Sequence, residues 1–257
     1  MDLSEVYADT KTKCTSGKYK DIPIDKSELY IYKQLNLERR FPKTNVIVVN
    51  QDTLLTCKVF ATSDNKDINN VCALNMANEF HAGGAVEHGA RAQEEELFRR
   101  TNYFKSLTEE FYPIERPNCV YTPNVSCIKD ENYKDLENEE IFSCAFIASP
   151  AIVTPDTKEE LIDGKFSMEY VKYKKMADKL LMCRIIDNIF ACAYDKGHTT
   201  LVLGALGCGV FRNPPKEVVD IFNMALDKYD GCFNTVAFSV LSKRDKNYEI
   251  FDKFIDR

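Results

Sequence analysis

The stretch VCALNMANEFHAGGAVEHGARAQEEELFRR, residues 71–100, divides into three segments of different character. The first, VCALNMAN, is an almost continuous apolar run, which is typical of a strand buried on both faces of a sheet. A segment with three glycines follows, and from Gln93 the spacing becomes helical. The inward face of this helix would carry Leu97, Thr101, Phe104 and Leu107. The stretch therefore predicts a strand, a loop and a helix whose first turn contains Glu94, Glu95 and Glu96.

Further apolar runs outside this stretch predict additional strands. They are NVIVVN at 45–50, CVYTPNV at 119–125, IFSCAFIASPA at 141–151, TTLVLGAL at 199–206 and NTVAFSVL at 234–241. We expect NVIVVN to be a buried strand because its apolar run is continuous. Helical segments separate most of these runs, and an acidic loop separates CVYTPNV from IFSCAFIASPA. Strands that alternate with helices indicate an α/β fold with a mostly parallel central sheet.

Three predicted helices have recognisable ends. Asp52 or Thr53 would cap a helix over 51–60, and Gly197 would end a long helix over about 167–195. Pro214 or Pro215 would begin another helix. The inward stripe of the long helix would be Tyr173, Met176, Leu180, Cys183, Ile186, Phe190 and Ala193, and that of the later one Val218, Phe222, Ala225 and Tyr229. The acidic segment KDENYKDLENEE, residues 129–140, predicts a solvent-exposed loop.

The composition indicates an intracellular globular protein. At 257 residues with 44% hydrophobic content, the chain can bury a sizeable core. We expect one domain over residues 1–257, in which residues 1 to about 40 form an arm packed on the core. The amino end shows no secretory-signal pattern, and no apolar run reaches the roughly 18 residues of a membrane span.

The ten cysteines and three histidines match no familiar metal or disulfide pattern. Several cysteines lie in or beside apolar runs, as small core residues do: Cys72, Cys144, Cys183, Cys192 and Cys232. The lack of a CxxC pair argues against a zinc or haem site and favours a reducing compartment, cytosolic or nuclear. The net charge of −6 argues against general nucleic-acid binding. We therefore expect any phosphate to be held locally by backbone N–H groups.

A second glycine-rich segment follows the predicted strand TTLVLGAL. In GALGCGVF, residues 204–211, Gly204, Gly207 and Gly209 allow backbone N–H groups to converge on a phosphate. The spacing is neither GxGxxG nor GxxxxGK[ST], so a tight turn is an equal alternative. Ligands of parallel α/β sheets bind beyond the carboxyl ends of the strands. Loops 50–53, 78–93 and 204–213 would all lie there.

The three glutamates have two interpretations. Acidic residues stabilise a helix N-terminus, and Glu95–Arg99 and Glu96–Arg100 have the i,i+4 spacing of ion pairs. Successive helix positions point about 100° apart, so the glutamates cannot all face one pocket. Their position after a strand and a glycine loop favours a ligand site, because a ligand would lie on that side of the sheet.

Together these motifs resemble a known family. MANEFHAGGAVEHGARAQEEEL, residues 76–97, resembles the signature of microbial-type poly(ADP-ribose) glycohydrolases, in which an asparagine, a glycine triplet and Gln-Glu-Glu follow one another. VLGALGCGVFRN, residues 202–213, is similar to the diphosphate loop of that family. The resemblance spans the chain from about Tyr7 to the last strand. It implies a macrodomain-like α/β fold, which binds ADP-ribose, with an added catalytic loop.

The resemblance implies roles for the first glycine loop. Asn78 would hold a hydroxyl of the terminal ribose, and Gly83 and Gly84 would line the diphosphate and ribose. Ala85 stands at the third glycine of the triplet, and Ala82 stands where relatives often carry proline. The extra Cβ of Ala85 would push the loop away from the ligand or narrow the pocket, giving a modified site.

It also implies a role for each residue of the Gln-Glu-Glu motif. Gln93 would order the loop, Glu94 would bind ribose hydroxyls, and Glu95 would be the catalytic acid and base. Glu96 would be a solvent-facing partner of Arg100.

Two further groups of residues follow from the resemblance. The second phosphate loop would comprise Gly204, Gly207, Cys208, Gly209, Val210 and Phe211. Phe238, just past the last strand, would pack against adenine, and Asp52 would accept from the adenine amino group. For Phe238 and Asp52, core packing and helix capping are equal alternatives.

The implied reaction is cleavage of the O-glycosidic bond to the terminal ribose of poly(ADP-ribose), through an oxocarbenium-like state. A general acid that acts near neutral pH needs a raised pKa, and a neighbouring carboxylate is one way to raise it. The alternatives are a module that binds ADP-ribose without cutting, or an enzyme that removes single ADP-ribose units from protein or nucleic acid. We expect a monomer, no metal or cofactor, no membrane contact, and ADP-ribose, its polymer or ADP-ribosylated protein as partner.

Overall fold

The computed structural model describes residues 2–65, 67–159, 167–242 and 246–257. These residues contain the strands β1 (Glu28–Tyr30), β2 (Asn45–Val49), β3 (Val71–Ala77), β4 (Cys119–Cys127), β5 (Phe142–Pro150), β6 (Thr157–Glu159), β7 (Val171–Tyr173), β8 (Thr200–Leu203) and β9 (Thr235–Ser239). They also contain the α-helices α1 (Leu3–Thr15), α2 (Thr53–Ala61), α3 (Gln93–Arg100), α4 (Met176–Asp195), α5 (Pro215–Lys228) and α6 (Asn247–Phe254). Each apolar run that predicts a strand contains one.

The central sheet has the strand order β1-β4-β5-β3-β8-β9-β2. The pairs β5–β3, β3–β8, β8–β9 and β9–β2 are parallel, whereas β4 is antiparallel to both β5 and β1. The predicted α/β fold with a mostly parallel sheet is confirmed. Because the five parallel strands run the same way, the loops that follow them meet at one edge of the sheet.

Helices cover both faces of the sheet. Ile186 of α4, Phe222 of α5 and Phe251 of α6 belong to the core on one face, and Leu54 of α2 and Leu97 of α3 belong to the core on the other. β3 lies at the centre, and six of its seven residues are buried. This double burial explains why its sequence is an apolar run without alternation.

The predicted helix ends agree with the structure. The Asp52 side chain accepts from the backbone N–H groups of Leu54 and Leu55 at the start of α2. Gly197 has a φ of +80° just after α4, and α5 begins at Pro215. In each case the residue type satisfies a local requirement of a helix end.

Two elements differ from their predictions. NVIVVN forms β2, but β2 is an edge strand whose residues are half-buried or exposed. The long helix begins at Met176 and not near 167, because Val171–Tyr173 form β7 and pair with β6. Met176 and Leu180 are 67% and 54% exposed, so the inward stripe starts after them.

The region around α3 also differs from its prediction. α3 ends at Arg100, and Thr101 has an extended backbone and bridges to Cys127, so the predicted inward face does not continue as one helix. The acidic segment 129–140 is not wholly exposed: Lys129 and Leu136 are buried. Lys129 pairs with Asp9 of α1 at 2.7 Å, which ties the segment to the N-terminal helix.

The described residues contain no helix of the length and apolarity needed to cross a bilayer. All ten cysteines carry free thiols, and Cys183 alone among them is more than slightly exposed.

Candidate active site

Loops 50–52, 78–92 and 204–213 follow β2, β3 and β8 at the carboxyl edge of the sheet. The Gln93 amide donates to the Thr53 hydroxyl at 3.3 Å, which joins the starts of α3 and α2. A Cβ at Gly204 would lie 3.3 Å from the Met76 side chain and 3.4 Å from the carbonyl oxygen of Ser239. The three predicted loops are therefore neighbours.

The first loop is shaped by Asn78 and two glycines. The Asn78 Oδ1 accepts from the backbone N–H groups of Phe80 and His81, at 2.7 and 3.1 Å. Gly83 and Gly84 have φ of +75° and +58°, which other residues rarely adopt. A Cβ at Gly83 would lie 2.5 Å from the Phe98 ring, so both backbone angle and space require glycine there.

Ala85 does not need to be glycine. Its φ is −107°, an ordinary value for an L-residue, and its side chain is exposed. Its backbone N–H donates to Oε1 of Glu95 at 3.1 Å. The departure from the family triplet is therefore compatible with the conformation of the loop.

Glu94 is buried, and donors surround its carboxyl group. Oε2 accepts from the Asn78 N–H at 2.7 Å, and Oε1 accepts from the Gly83 N–H at 3.3 Å and from Asn75 Nδ2 at 3.2 Å. The Tyr112 hydroxyl lies 3.4 Å from the same Oε1. Burial raises the pKa of Glu94 to about 8, although the hydrogen bonds from Asn78, Asn75 and Gly83 lower it.

Glu95 joins both ends of the segment 85–92. Its Oε1 accepts from the Ala85 N–H and its Oε2 from the Ala92 N–H, each at 3.1 Å. The Glu95 carboxylate also approaches Gly84, since a Cβ there would lie 2.6 Å from Oε1. The glycine loop therefore wraps around two adjacent carboxyl groups, both largely withdrawn from water.

The predicted i,i+4 ion pairs are wrong. Glu96 pairs with Arg99 at 3.2 Å and accepts from the Tyr133 hydroxyl, so it is not a partner of Arg100. Arg100 pairs instead with Asp52 at 2.9 Å. The spacing on the helix permits both predicted pairs, but neighbouring segments supply competing partners.

Gln93 binds the strand more than the loop. Its Oε1 accepts from the Met76 N–H at 2.9 Å, and its Nε2 donates to the Leu74 carbonyl at 2.7 Å. The ladder between β3 and β8 ends at Ala73–Val202. Gln93 thus makes the two bonds that a residue of a parallel neighbouring strand would make beyond that point.

The second loop is held by Asn213. Asn213 Nδ2 donates to the carbonyls of Ile152 and Gly207, at 2.7 and 3.1 Å, and Oδ1 accepts from the Tyr173 hydroxyl. Gly207 has a φ of +71°, and a Cβ there would lie 2.4 Å from Asn213 Nδ2. A Cβ at Gly209 would meet no atom within 4 Å. The tip is open: Gly209 and Val210 are exposed, Phe211 is half-buried and Cys208 is buried.

The two candidate adenine residues differ in availability. Asp52 Oδ1 already caps α2 and pairs with Arg100, so helix capping is observed, and an adenine contact stays a prediction. The prediction that Phe238 lies past the last strand is wrong. Phe238 lies within β9, is 0% exposed and packs against Phe222 and Phe251, so the core-packing alternative is the observed one.

The sequence reasoning missed three residues that hold the site together. Asn75 is the one polar residue inside the apolar run of β3, a signal that was available in the sequence. Asn213 and Tyr112 carry no comparable signal, because their roles depend on loops that only the fold brings near. Among the described residues, no group of three or more His, Cys, Asp or Glu side chains is arranged to hold a metal ion.

A cavity of about 580 Å³ lies between α1 and the outer side of the first loop. Tyr7, Phe98 and Leu107 contribute to its described lining, together with Gly84 and Ala85. Its lining includes neither Glu94 nor Glu95 and no residue of 204–213. It shares Gly84 and Ala85 with the first loop and has no lining residue in the second loop.

Residues 5–130 match the family model of the microbial-type poly(ADP-ribose) glycohydrolase (PARG) catalytic domain. This range contains the first glycine loop and the whole of α3. The family resemblance predicted from the sequence is confirmed by this match. No curated protein matches the chain significantly.

Solved structures confirm the fold over nearly the whole chain. The PARG of Thermomonospora curvata has a TM-score of 0.76 at 22% identity, covering 98% of this chain and 99% of its own. The same protein bound to the inhibitor ADP-HPD has a TM-score of 0.73 at 23% identity, covering 97% of both chains. The PARG of Deinococcus radiodurans in complex with ADP-ribose has a TM-score of 0.65 at 24% identity, covering 82% of this chain and 83% of its own.

Proposed function

We propose that this protein is a poly(ADP-ribose) glycohydrolase that cleaves the ribose O-glycosidic bond of the polymer and releases ADP-ribose. The observation that carries the proposal is the pair of buried carboxyl groups of Glu94 and Glu95, enclosed by a loop whose Gly83 and Gly84 must be glycine. The family match covers this loop and helix. The similar structures, described as bound to ADP-ribose or to ADP-HPD, support the same substrate.

In the proposed mechanism Glu95 is the acid and base. As acid it would give a proton to the departing ribose oxygen while the glycosidic bond breaks through an oxocarbenium-like state. As base it would then take a proton from the attacking water. Burial raises the pKa of the adjacent Glu94 to about 8, so the carboxyl pair holds a proton near neutral pH.

The two glycine loops would hold the substrate on either side of the carboxyl pair. Asn78 would bind a ribose hydroxyl, and no described residue accepts from its Nδ2. Gly83, Gly84 and Ala85 would line the ribose and diphosphate. The N–H groups of the second loop would bind the diphosphate through Gly204, Gly207, Cys208, Gly209, Val210 and Phe211. Fixed donors of this kind orient the sugar toward the acid.

The proposed setting is that expected from the sequence: an intracellular monomer that acts without a metal or cofactor. The net charge of −6 supports a local pocket as the main source of affinity, because an acidic protein gains little by lying along an anionic polymer. Such a pocket holds one terminal unit and favours release of single ADP-ribose units from chain ends.

The test is incubation of the protein with labelled poly(ADP-ribose) and, separately, with mono-ADP-ribosylated protein, followed by measurement of free ADP-ribose. We expect release from the polymer by the wild type and about 10²- to 10⁴-fold slower release by Glu95→Gln, the range for loss of a general acid. Release from the mono-modified protein alone would identify the mono-ADP-ribosyl hydrolase. Binding of ADP-ribose with no release from either substrate would identify the binding module.

A further inference from the structure

Arg99 is a fully buried cation beside the first loop. It is 0% exposed, and its Nη2 donates to the carbonyl oxygen of Ala90 and to Glu96 Oε1. Its Nε and Nη1 have no hydrogen-bond partner among the described residues. Burial of a guanidinium with unused donors lowers stability, so packing alone does not account for an arginine at this position.

Arg99 and Glu95 lie one helical turn apart and therefore on the same face of α3. Glu95 accepts from the N–H groups of Ala85 and Ala92, and Arg99 donates to the carbonyl of Ala90. Within the segment the Ala90 N–H donates to the Ala85 carbonyl at 3.3 Å. Glu95 as acceptor and Arg99 as donor thus bind the two kinds of backbone group in one segment, 85–92.

The acidic segment 129–140 is linked to the guanidinium through Glu96. The Tyr133 hydroxyl donates to Glu96, 2.9 Å from Oε1 and 3.0 Å from Oε2. Tyr133 adopts a φ of +63°, which is uncommon for a residue other than glycine. Glu96, fixed by Tyr133, supplies the carboxylate that faces Arg99.

We propose that Arg99 is a positioning residue for Glu95: by holding Ala90, it keeps the Ala85 and Ala92 N–H groups where they fix the Glu95 carboxylate. Glu96 and Tyr133 act through Arg99. The catalytic part of this inference rests on the proposed function, because displacement of the Glu95 carboxylate would be measured as a lower kcat. A shift of about 1 Å at a reacting group can cost roughly 10²-fold in rate.

The test compares Arg99→Met, which removes the donor, with Arg99→Lys, which keeps a cation. We expect kcat to fall about tenfold or more in Arg99→Met and to be partly restored in Arg99→Lys, with KM and ADP-ribose affinity changed less than threefold. Amide hydrogen exchange at Ala85 and Ala92 should become faster in Arg99→Met. Tyr133→Phe should lower kcat and speed amide exchange at Ala85 and Ala92 by smaller factors than Arg99→Met. It replaces Arg99→Met as the test variant if Arg99→Met does not fold.

Lys179→Met is the control, because Lys179 of α4 pairs with Glu217 of α5 at 2.9 Å on the face of the sheet opposite to α3. It should lower the melting temperature and leave exchange at Ala85 and Ala92 unchanged. Unchanged exchange in both Arg99→Met and Tyr133→Phe would overturn the inference whether or not the wild type is active. A wild type that releases no ADP-ribose would refute the proposed function instead, and the exchange data would still decide the positioning role.

Discussion

Asn75 lies in the middle of β3, and its Nδ2 donates to Oε1 of Glu94 across 3.2 Å. Both side chains are buried, Asn75 at 0% and Glu94 at 3% exposed. The bond therefore connects the Glu94 carboxyl group to the centre of the sheet, away from bulk solvent. Burial raises the pKa of Glu94 to about 8 even though this bond favours the charged form. The protonation of Glu94 therefore changes within the neutral range.

Glu94 makes the stability of the fold depend on pH. Below the ordinary glutamate pKa of 4.5 both folded and unfolded chains carry the proton. As the pH rises from there toward 8, the unfolded chain loses the proton while the folded one keeps it, so the free energy of unfolding falls by roughly 1 kcal/mol per pH unit. In Glu94→Gln the free energy of unfolding should lack this pH-dependent fall. Urea denaturation of both proteins at pH 5, 6, 7 and 8 measures it, and parallel curves would refute the prediction.

Glu95 and Glu96 are adjacent but should differ sharply in their effect on turnover. We expect Glu95→Gln to retain ADP-ribose binding and to lower kcat by about 10² to 10⁴. Glu96→Gln should leave kcat nearly unchanged, because an amide oxygen can still accept from Arg99. Loss of activity in Glu96→Gln with retention in Glu95→Gln would show that the roles along α3 are displaced by one residue.

The neighbours Gly84 and Ala85 test the shape of the first loop. Gly84→Ala should abolish most of the activity, because its Cβ would lie 2.6 Å from Glu95 Oε1 at a φ of +58°. Ala85→Gly should remain active, since a φ of −107° suits either residue. The test compares initial rates of Gly84→Ala, Ala85→Gly and the wild type on poly(ADP-ribose), with melting temperatures as a check of folding. A strong gain of activity in Ala85→Gly would show that the alanine Cβ restricts the pocket.

Gly209 and Gly207 separate ligand contact from loop folding. A Cβ at Gly209 would meet no protein atom within 4 Å, so Gly209→Val should fold normally and weaken ADP-ribose binding by about 1–3 kcal/mol through crowding of the ligand. Gly207→Val should instead destabilise the fold, because its Cβ would lie 2.4 Å from Asn213 Nδ2. Calorimetry and thermal denaturation distinguish the two effects. Equal affinity of Gly209→Val and the wild type for ADP-ribose would show that the tip of the second loop does not contact the ligand.

The mode of polymer cleavage follows from the acidic net charge. We expect monomeric ADP-ribose as the early product and only a weak dependence of polymer affinity on salt, since the main contacts are local. A time course resolved by chain length identifies the early product. Binding titrations at low and moderate salt measure the salt dependence of polymer affinity. Early oligomers would show internal cleavage, and a steep salt dependence would show a basic track along the surface.

Much of the fold was predictable because the central strands are buried on both faces. The apolar runs of β3, β5 and β8 have no other simple interpretation, and Asp52 and Pro215 carry local signals for helix starts. The start of α4 was not predictable, because Tyr173 and Met176 continue a helical spacing by coincidence while the chain forms β7. The placement of Phe238 past the last strand was wrong, because Phe238 lies inside the apolar run 234–241 that forms β9.

The site was predictable in its residues more than in its contacts. The glycines and the Gln-Glu-Glu motif stand out in the sequence, and the structure brings Asn78, Gly83, Glu94 and Glu95 together. The partners of Glu95 and Arg99 were not predictable, because i,i+4 spacing suggests a mutual ion pair. Which partner each chooses depends on loop backbone that the helix sequence does not describe.

Gln93 fixes the position of α3 relative to β3. Its amide completes the pattern of β3 through Leu74 and Met76, so α3 cannot shift by one residue along the strand without losing both bonds. The backbone of Glu94 and Glu95 is therefore fixed relative to the sheet, and the loop adds the Gly83, Ala85 and Ala92 N–H groups that hold their carboxyl groups. Side-chain substitutions at the exposed positions His81, Glu87 and His88 leave these backbone donors in place. Variation at those positions can then alter which substrates reach the site without moving the groups that act on them.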